Sequence, residues 1–368
     1  MDQTHINFQH GSEYWPMRNT LPPVSFVNPL VPALSGPEGV RPGQPAYVRI
    51  TVENSRGAWP DHNQFNCREQ YGCHEPVLQA MDPYGVQHRW VRVSSAGPRD
   101  VRWKAFPNRE WLKVEPAEGK VKADGTGDCK VMLIIDWEKI PSPPPKNASV
   151  LFVPDDGSIV TATLPIHLPP PPPSDFNGFI EGDGYVAMEA AHFTRRSSSS
   201  DRKYAFQEIE NIGHTLSGLE IFPMDATNHS TASGPMVEYD FWLHPSSSGE
   251  DISPNIIVQI APSLNFLSGK RLAYAISIDD SDPLVVTPIP PSLPPPRQAI
   301  PPDWDQTVSD DVRSTNFTYT PFNKHGGAHS LRIHGMTTGI VLERIVVDLG
   351  GFEARGYSYL GPPESLRV

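Results

Sequence analysis

Apolar and polar residues alternate one by one along several segments of this chain. In YVRITVE, Val48, Ile50 and Val52 take one parity, and polar side chains take most of the other. Because successive side chains of a β-strand point to opposite faces of the sheet, this period of two predicts a half-buried strand. CKVMLIIDW predicts a central strand, and SVLFVPDDGSIVTATLPI predicts two strands joined through an Asp-Gly turn.

The same period returns in the second half of the chain. MVEYDFWL places Val237, Tyr239, Phe241 and Leu243 on one face of a predicted strand. The segments NIIVQIA, RLAYAISIDD, HSLRIHG and GIVLERIVVDLGG repeat the pattern. The proline-rich segment that follows RLAYAISIDD is predicted to be a surface excursion, since repeated prolines cannot sit inside a sheet.

Five consecutive prolines at residues 169–173 separate the two groups of predicted strands. Such a run favours a short, stiff polyproline II spacer. We predict an all-β protein with an immunoglobulin-like β-sandwich over residues 25–168, a linker over 169–175 and a second β-sandwich over 176–368. Residues 1–24 fit neither pattern and are interpreted as the remnant of an upstream region.

Composition supports the β class and excludes several kinds of partner. The 42 prolines and 28 glycines are too many for a helical architecture. A net charge of −12 repels polyanions, so we expect no nucleic-acid partner. No apolar run approaches the roughly 20 residues of a membrane span, and MDQTHINFQH lacks the features of an export signal.

Two sequence features fit an oxidising, extracellular compartment. Cys67 and Cys73 flank REQYG in a polar loop and form a candidate short disulfide. Sequons occur at Asn147, Asn228 and Asn316, although serine and threonine are frequent enough for chance to supply them.

Motifs for several common reactions are missing from the sequence. The chain has no Gly-rich phosphate loop, no G-x-S-x-G elbow and no H-E-x-x-H helix. Asp279, Asp280 and Asp282 in DDSDP offer oxygen ligands for calcium, or simply a solvated strand end. Trp59 and Tyr71 could contact a sugar, or they could be packed or solvent-facing aromatics.

Glu189, in the segment GYVAMEAAHF, has three interpretations. It shares its strand parity with Tyr185 and Ala187, whereas Val186 and Met188 form the more apolar face. Glu189 is therefore read first as a surface carboxylate, second as a structural cation ligand and last as a catalytic acid.

Ordered motifs along the chain resemble the C-terminal region of glycoside hydrolase family 115. They are EGDGYVAMEAAHFTRR, HTLSGLEIFP, MVEYDFWL, RLAYAISIDD and GIVLERIVVDLGGFEARGYSYLGPPES. Upstream, YWPMRNTLPP, DPYGVQHRWVRV, WLKVEPAEGKV and VMLIIDW extend the resemblance over nearly the whole chain. The family consists of extracellular α-glucuronidases that remove glucuronic acid or its 4-O-methyl form from xylan. Their catalytic (β/α)₈ barrel precedes a helical region and C-terminal β modules, and no such eightfold alternation occurs in this sequence.

The resemblance implies a non-catalytic C-terminal part of such an enzyme, which helps it fold, dimerise or bind carbohydrate. Its partners would be xylan or another plant polysaccharide, the upstream barrel and a second copy of the chain. No catalytic residue is assigned, and the chain alone is expected to be inactive. The alternatives are an independent secreted carbohydrate-binding or adhesion protein and, less favoured, an autonomous hydrolase.

The second predicted sandwich also resembles jelly-roll carbohydrate-binding modules. In those modules an opening strand reading approximately EAE and a closing strand supply acids to a structural calcium. The resemblance implies Glu189 and Glu343 as calcium ligands here, while Ala191 stands where the motif has its second acid. Loss of one carboxylate weakens a calcium site.

Overall fold

The computed structural model describes residues 47–55, 57–60, 75–96, 99–245, 254–267, 270–292, 300–318, 326–352, 357 and 360–368. Over these residues the regular secondary structure is almost entirely β, and the strands form four sheets. The all-β prediction is therefore confirmed. The predicted remnant at 1–24 and the candidate disulfide Cys67–Cys73 lie outside the described residues. None of the helices in the described ranges has the length and apolar character needed to cross a bilayer.

The first eight strands form a two-sheet sandwich. They are β1 (Val48–Val52), β2 (His88–Ser95), β3 (Val101–Pro107), β4 (Leu112–Glu115), β5 (Glu118–Val121), β6 (Cys129–Ile135), β7 (Asn147–Pro154) and β8 (Val160–Pro165). One sheet has the order β1-β2-β6-β4 and the other β5-β3-β7-β8. Alternate residues of these strands fill the core between the sheets. Trp59 is 3% exposed and belongs to this core, so it presents no surface to a sugar.

The remaining strands form a second, larger sandwich. They are β9 (Phe179–Ile180), β10 (Tyr185–Glu189), β11 (Arg195–Ser197), β12 (Ala205–Glu210), β13 (Ser217–Phe222), β14 (Met236–Leu243), β15 (Asn255–Ile260), β16 (Tyr274–Ile278), β17 (Leu284–Val286), β18 (Arg313–Thr318), β19 (Gly327–Gly335) and β20 (Leu342–Asp348). One sheet has the order β12-β13-β20-β15-β18 with β10 also on β20, and the other β11-β14-β19-β16-β17 with β9 on β14.

The described part of the predicted surface excursion contains a short strand. β17 is an edge strand on β16, and the helix α1 (Trp304–Ser309) begins where the excursion ends. Sequence alternation predicted neither element.

Strand β10 is covered on both faces. Val186 and Met188 point into the main core of the second sandwich, while Tyr185 and Ala187 belong to a second apolar cluster. The segment after β20 closes that side, since the Ala187 N–H donates to Ser365 Oγ at 2.9 Å. The interpretation of Glu189 as a surface carboxylate is therefore wrong, because this covering leaves it only 7% exposed.

The two sandwiches touch directly at a buried ion pair. Arg89 Nη2 of β2 lies 2.6 Å from Asp183 Oδ1, and both side chains are almost completely buried. Asp183 also accepts the Val86 N–H at 2.8 Å, and its own N–H donates to Asp82 Oδ2 at 2.7 Å. The prolines at 169–173 thus connect modules that are already in contact. The boundaries drawn from the sequence and the immunoglobulin-like assignment stay predictions.

Candidate functional site

The outer face of the sheet containing β14 carries an ordered set of polar and aromatic side chains. In β14, four core residues alternate with Glu238, Asp240 and Trp242, which take the opposite face. We call this set the platform, and its members are Arg195, Glu238, Asp240, Trp242, Ser330 and Arg332.

Strand register places opposite charges side by side on the platform. Glu238 pairs in register with Arg195 of β11 on one side and with Arg332 of β19 on the other. Both guanidinium groups donate hydrogen bonds to the Glu238 carboxylate. Arg195 also donates to Asp240 at 2.6 Å, and Asp240 accepts a hydrogen bond from the Ser330 hydroxyl group. Cross-strand ion pairs of this kind fix the orientation of long side chains, so the platform is preorganised.

The same contacts keep Glu238 ionised. Burial acts to raise the pKa of Glu238, but the hydrogen bonds from Arg332 and Arg195 outweigh burial and lower it. The buried Glu238 carboxylate therefore holds Arg195 and Arg332 in place over the whole physiological pH range.

The linker folds over one end of the platform and creates a depression. Its walls include Asp175, the last residue of the linker, and Phe176, which follows it, and its floor includes Asp240 and Trp242. The Phe176 and Trp242 rings meet edge to face with centroids 5.7 Å apart. The backbone just after the linker comes this close because Gly178 lacks a side chain: a Cβ there would lie 2.5 Å from the Asp240 carbonyl oxygen. The depression has a volume of about 510 Å³, which falls in the range of small-ligand sites.

Asp279 and His329 form the other end of the depression. Asp279 follows β16 with φ 51°, a conformation that Asp and Asn tolerate better than most residues. Its Oδ1 accepts the Ser330 N–H at 2.9 Å, and its Oδ2 lies 2.9 Å from His329 Nδ1. Burial acts to raise the pKa of Asp279, and the bonds with His329 and Ser330 reverse that effect and lower it. Asp280 and Asp282 are exposed and do not line the depression.

Glu189 and Glu343, the implied calcium ligands, lie in a separate narrow cleft on the opposite sheet. Arg344 donates to Glu189 Oε1 at 2.7 Å, and Thr215 donates to the same oxygen at 2.6 Å. Burial raises the pKa of Glu343 to about 7, which disfavours its charged form.

These surroundings do not fit a calcium ion. Calcium takes six to eight oxygen ligands, whereas the cleft has no space for a further water-sized group. Among the residues that the structure describes, no cluster of three His, Cys, Asp or Glu side chains could hold a metal. Calcium binding at Glu189 and Glu343 stays a prediction from the resemblance alone.

Calcium should leave the thermal stability of the chain unchanged, because Arg344 already supplies the positive charge beside Glu189. A ligand that binds only the folded state raises the melting temperature. We expect scanning calorimetry in calcium and in chelator to give melting temperatures within about 1 °C of each other. A rise of several degrees in calcium, removed by Glu189→Gln, would establish the site instead.

The platform was missed by the sequence analysis, although one signal was present. The alternation in MVEYDFWL already placed Trp242 on the face opposite the core residues. A tryptophan at a non-core position flanked by alternating acids indicates a contact surface. Phe176, Asp279 and His329 join Trp242 only through the tertiary fold, so no local pattern connects them.

Comparisons with known proteins place the second sandwich in a described family. A family profile for the "Glycosyl hydrolase family 115 C-terminal domain" matches residues 178–364. No curated protein matches the chain.

Parts of several solved structures align with this chain. A family GH115 4-O-methyl-alpha-glucuronidase with specificity for decorated arabinogalactans shares 13% identity, with a TM-score of 0.30 over 43% of this chain and 18% of that chain. A family 35 carbohydrate binding module from Clostridium thermocellum shares 8% identity, with a TM-score of 0.22 over 42% of this chain and 98% of that chain. An exo-beta-1,3-galactanase from Phanerochaete chrysosporium shares 11% identity, with a TM-score of 0.26 over 73% of this chain and 56% of that chain. The alignment thus spans 18% of the length of the GH115 enzyme, and at these scores no functional conclusion follows from the structural likeness.

Proposed function

The chain belongs to the glycosyl hydrolase family 115 C-terminal domain family, and from this premise we propose that it is the non-catalytic C-terminal part of an α-glucuronidase acting on glucuronoxylan. In this role the second sandwich holds polysaccharide on the platform while an upstream barrel performs the hydrolysis. The observation that carries the binding role is the preorganised platform beside Trp242 in a depression of ligand size.

The chemistry of the platform suits a sugar. Pyranose rings present apolar C–H faces and hydroxyl edges, so a site needs both an aromatic surface and fixed polar groups. Trp242 and Phe176 supply the aromatic surface, and Asp240, Arg195 and Ser330 supply acceptors and donors. Because ion pairs hold these polar groups in place, little side-chain freedom is lost on binding.

Retention on insoluble xylan tests this function. We expect the whole chain to be retained on xylan above the levels on cellulose and on bare beads, because the platform supplies the sugar contacts. Trp242→Ala should weaken retention at least about tenfold, as loss of an aromatic anchor does at other interfaces. Trp90→Ala is the matched control, since Trp90 is a partly exposed tryptophan of the first sandwich. Retention of the parent no higher than on cellulose and bare beads would refute the binding role, and equal retention of all three proteins would refute the platform as the binding site.

A second candidate is an independent secreted carbohydrate-binding or adhesion protein. The observation that favours secretion is that Asn147, Asn228 and Asn316, the sequon asparagines, are all exposed. An extracellular location, an upstream barrel partner and a homodimer stay predictions of the family relationship. A chain that binds xylan equally well with and without a barrel domain would support this candidate.

Exposure of the sequons predicts glycosylation in a secretory pathway. Expression through a eukaryotic secretory pathway should add glycan mass that an endoglycosidase removes, because the acceptor amides at Asn147, Asn228 and Asn316 are accessible. Mass spectrometry of the secreted protein measures the shift. The triple Asn→Gln variant provides the control, and a parent protein whose mass equals that calculated from its sequence, with or without endoglycosidase, would refute the prediction.

A further inference from the structure

The charge of the depression selects among polysaccharides. Asp175, Asp240 and Asp279 line it together with a single guanidinium among the described residues, that of Arg195. Three carboxylates against one guanidinium leave a net charge of −2. Adding the ion pair of Arg332 with the buried Glu238 leaves this balance unchanged, since its two charges cancel.

Arg195 is poorly placed to bind an incoming carboxylate. Its Nε donates to Glu238 at 2.7 Å, and its Nη2 donates to Asp240 at 2.6 Å. These charge-assisted bonds pair the guanidinium with two carboxylates, so much of its positive charge is already compensated before a ligand arrives. The ligand carboxylate would also be repelled by the negative charges of Asp175 and Asp279.

Asp279 adds repulsion at the far end of the depression. Its side chain is 48% exposed, and its bonds with His329 and Ser330 hold it in place. A ligand anion placed within a Debye length, about 8 Å in physiological salt, is repelled. A neutral hydroxyl is attracted instead, because each carboxylate offers about four acceptor positions and a sugar O–H is a donor.

From these observations we propose that the depression binds the neutral xylose backbone of the polysaccharide and rejects its glucuronic acid side groups. The proposal rests on the proposed function, since it specifies the ligand of the same platform. In this role the chain binds stretches of the xylan backbone that carry no side groups. The acidic side groups then bind at another site of the enzyme.

A pair of matched oligosaccharides tests the proposal. The first is xylotriose carrying one 4-O-methylglucuronic acid, and the second is the same molecule after reduction of the carboxyl group to a primary alcohol. Both are short, so the carboxyl group of the first cannot lie far from the platform. Titration calorimetry of the whole chain gives each dissociation constant.

We expect the acidic oligosaccharide to bind at least about tenfold more weakly than the reduced one at low salt. The difference should shrink at about 0.5 M salt, where screening is strong. Asp279→Asn should also shrink it, because asparagine keeps the backbone conformation and removes the charge. Glu210→Gln, on an exposed residue of the other sheet, should leave the difference unchanged.

Each alternative outcome has a distinct meaning. Equal or tighter binding of the acidic form, lost in Trp242→Ala, would overturn the selectivity and leave the proposed function intact. Failure of both oligosaccharides to bind would overturn both the charge selectivity and the proposed function. Binding that persists in Trp242→Ala would overturn the platform as the site.

Discussion

Arg89→Ala should destabilise the chain by about 3–5 kcal/mol, the cost of leaving a buried charge without its partner. Arg89 is 1% exposed and pairs with Asp183 across the junction of the two sandwiches. The same guanidinium donates to the carbonyl oxygens of Ala80 at 2.7 Å and His88 at 2.9 Å. The truncation would leave the Asp183 carboxylate and these carbonyl oxygens without these donors in a region closed to water.

Chemical denaturation of Arg89→Ala and of a matched control measures this effect. Arg92 lies on the same strand, its side chain is 54% exposed, and its nearest contact with Asp128 is 3.8 Å. Arg92→Ala should therefore change the free energy of unfolding by no more than about 0.5 kcal/mol. If the two variants unfold at the same denaturant concentration, the junction does not depend on the buried ion pair.

Glu181→Gln should stabilise the chain by about 2 kcal/mol at pH 8 and have little effect at pH 4. Glu181 lies near the same junction, where its Oε2 accepts the His244 N–H at 2.7 Å. Burial raises the pKa of Glu181 to about 7, and the nearby Asp82 charge adds to the rise. Glutamine mimics the protonated carboxyl group and can still accept the His244 N–H.

The direction of the pH dependence follows from the raised pKa. Between pH 4.5 and about 7 the folded chain binds the Glu181 proton more tightly than the unfolded chain does. The contribution of Glu181 to stability is therefore largest below pH 4.5 and declines as the pH rises towards 7.

Unfolding free energies of the parent and Glu181→Gln between pH 4 and 8 test this prediction. His244, with a pKa lowered by burial, and Glu343 are present in both proteins, so the difference between the curves reports on the Glu181 carboxyl group and its contact with His244. Glu208→Gln changes an exposed residue of β12, so its unfolding free energy should vary with pH as that of the parent does. A constant offset between the parent and Glu181→Gln over this range would contradict the assignment.

Strands with one face on the core were predictable from sequence alternation. β14 illustrates this, since Val237, Tyr239, Phe241 and Leu243 are all fully buried as the period of two predicts. β20 differs, because all seven of its residues are buried. Its second face is covered by the segment that follows the strand, including Phe352 and Tyr357, and strand alternation does not show that this segment folds back onto the sheet.

Buried charges were the least predictable part of the fold. Arginine and aspartate are rarely buried unless paired, so Arg89 and Asp183 gave no sign of their position in the sequence. Their pairing depends on contacts 94 residues apart. The same limit applies to the candidate site, where Arg195, Asp240 and Ser330 meet only because β11, β14 and β19 are neighbours.

Titration of xylohexaose into the whole chain, with Trp242→Phe and Trp242→Ala as paired variants, tests the central claim most directly. We predict one binding site per chain in the parent, a weaker but measurable site in Trp242→Phe, which keeps an aromatic ring beside Phe176, and none in Trp242→Ala. Unchanged binding in Trp242→Ala, with the variant folded by circular dichroism, would contradict the assignment of the platform as the carbohydrate-binding surface.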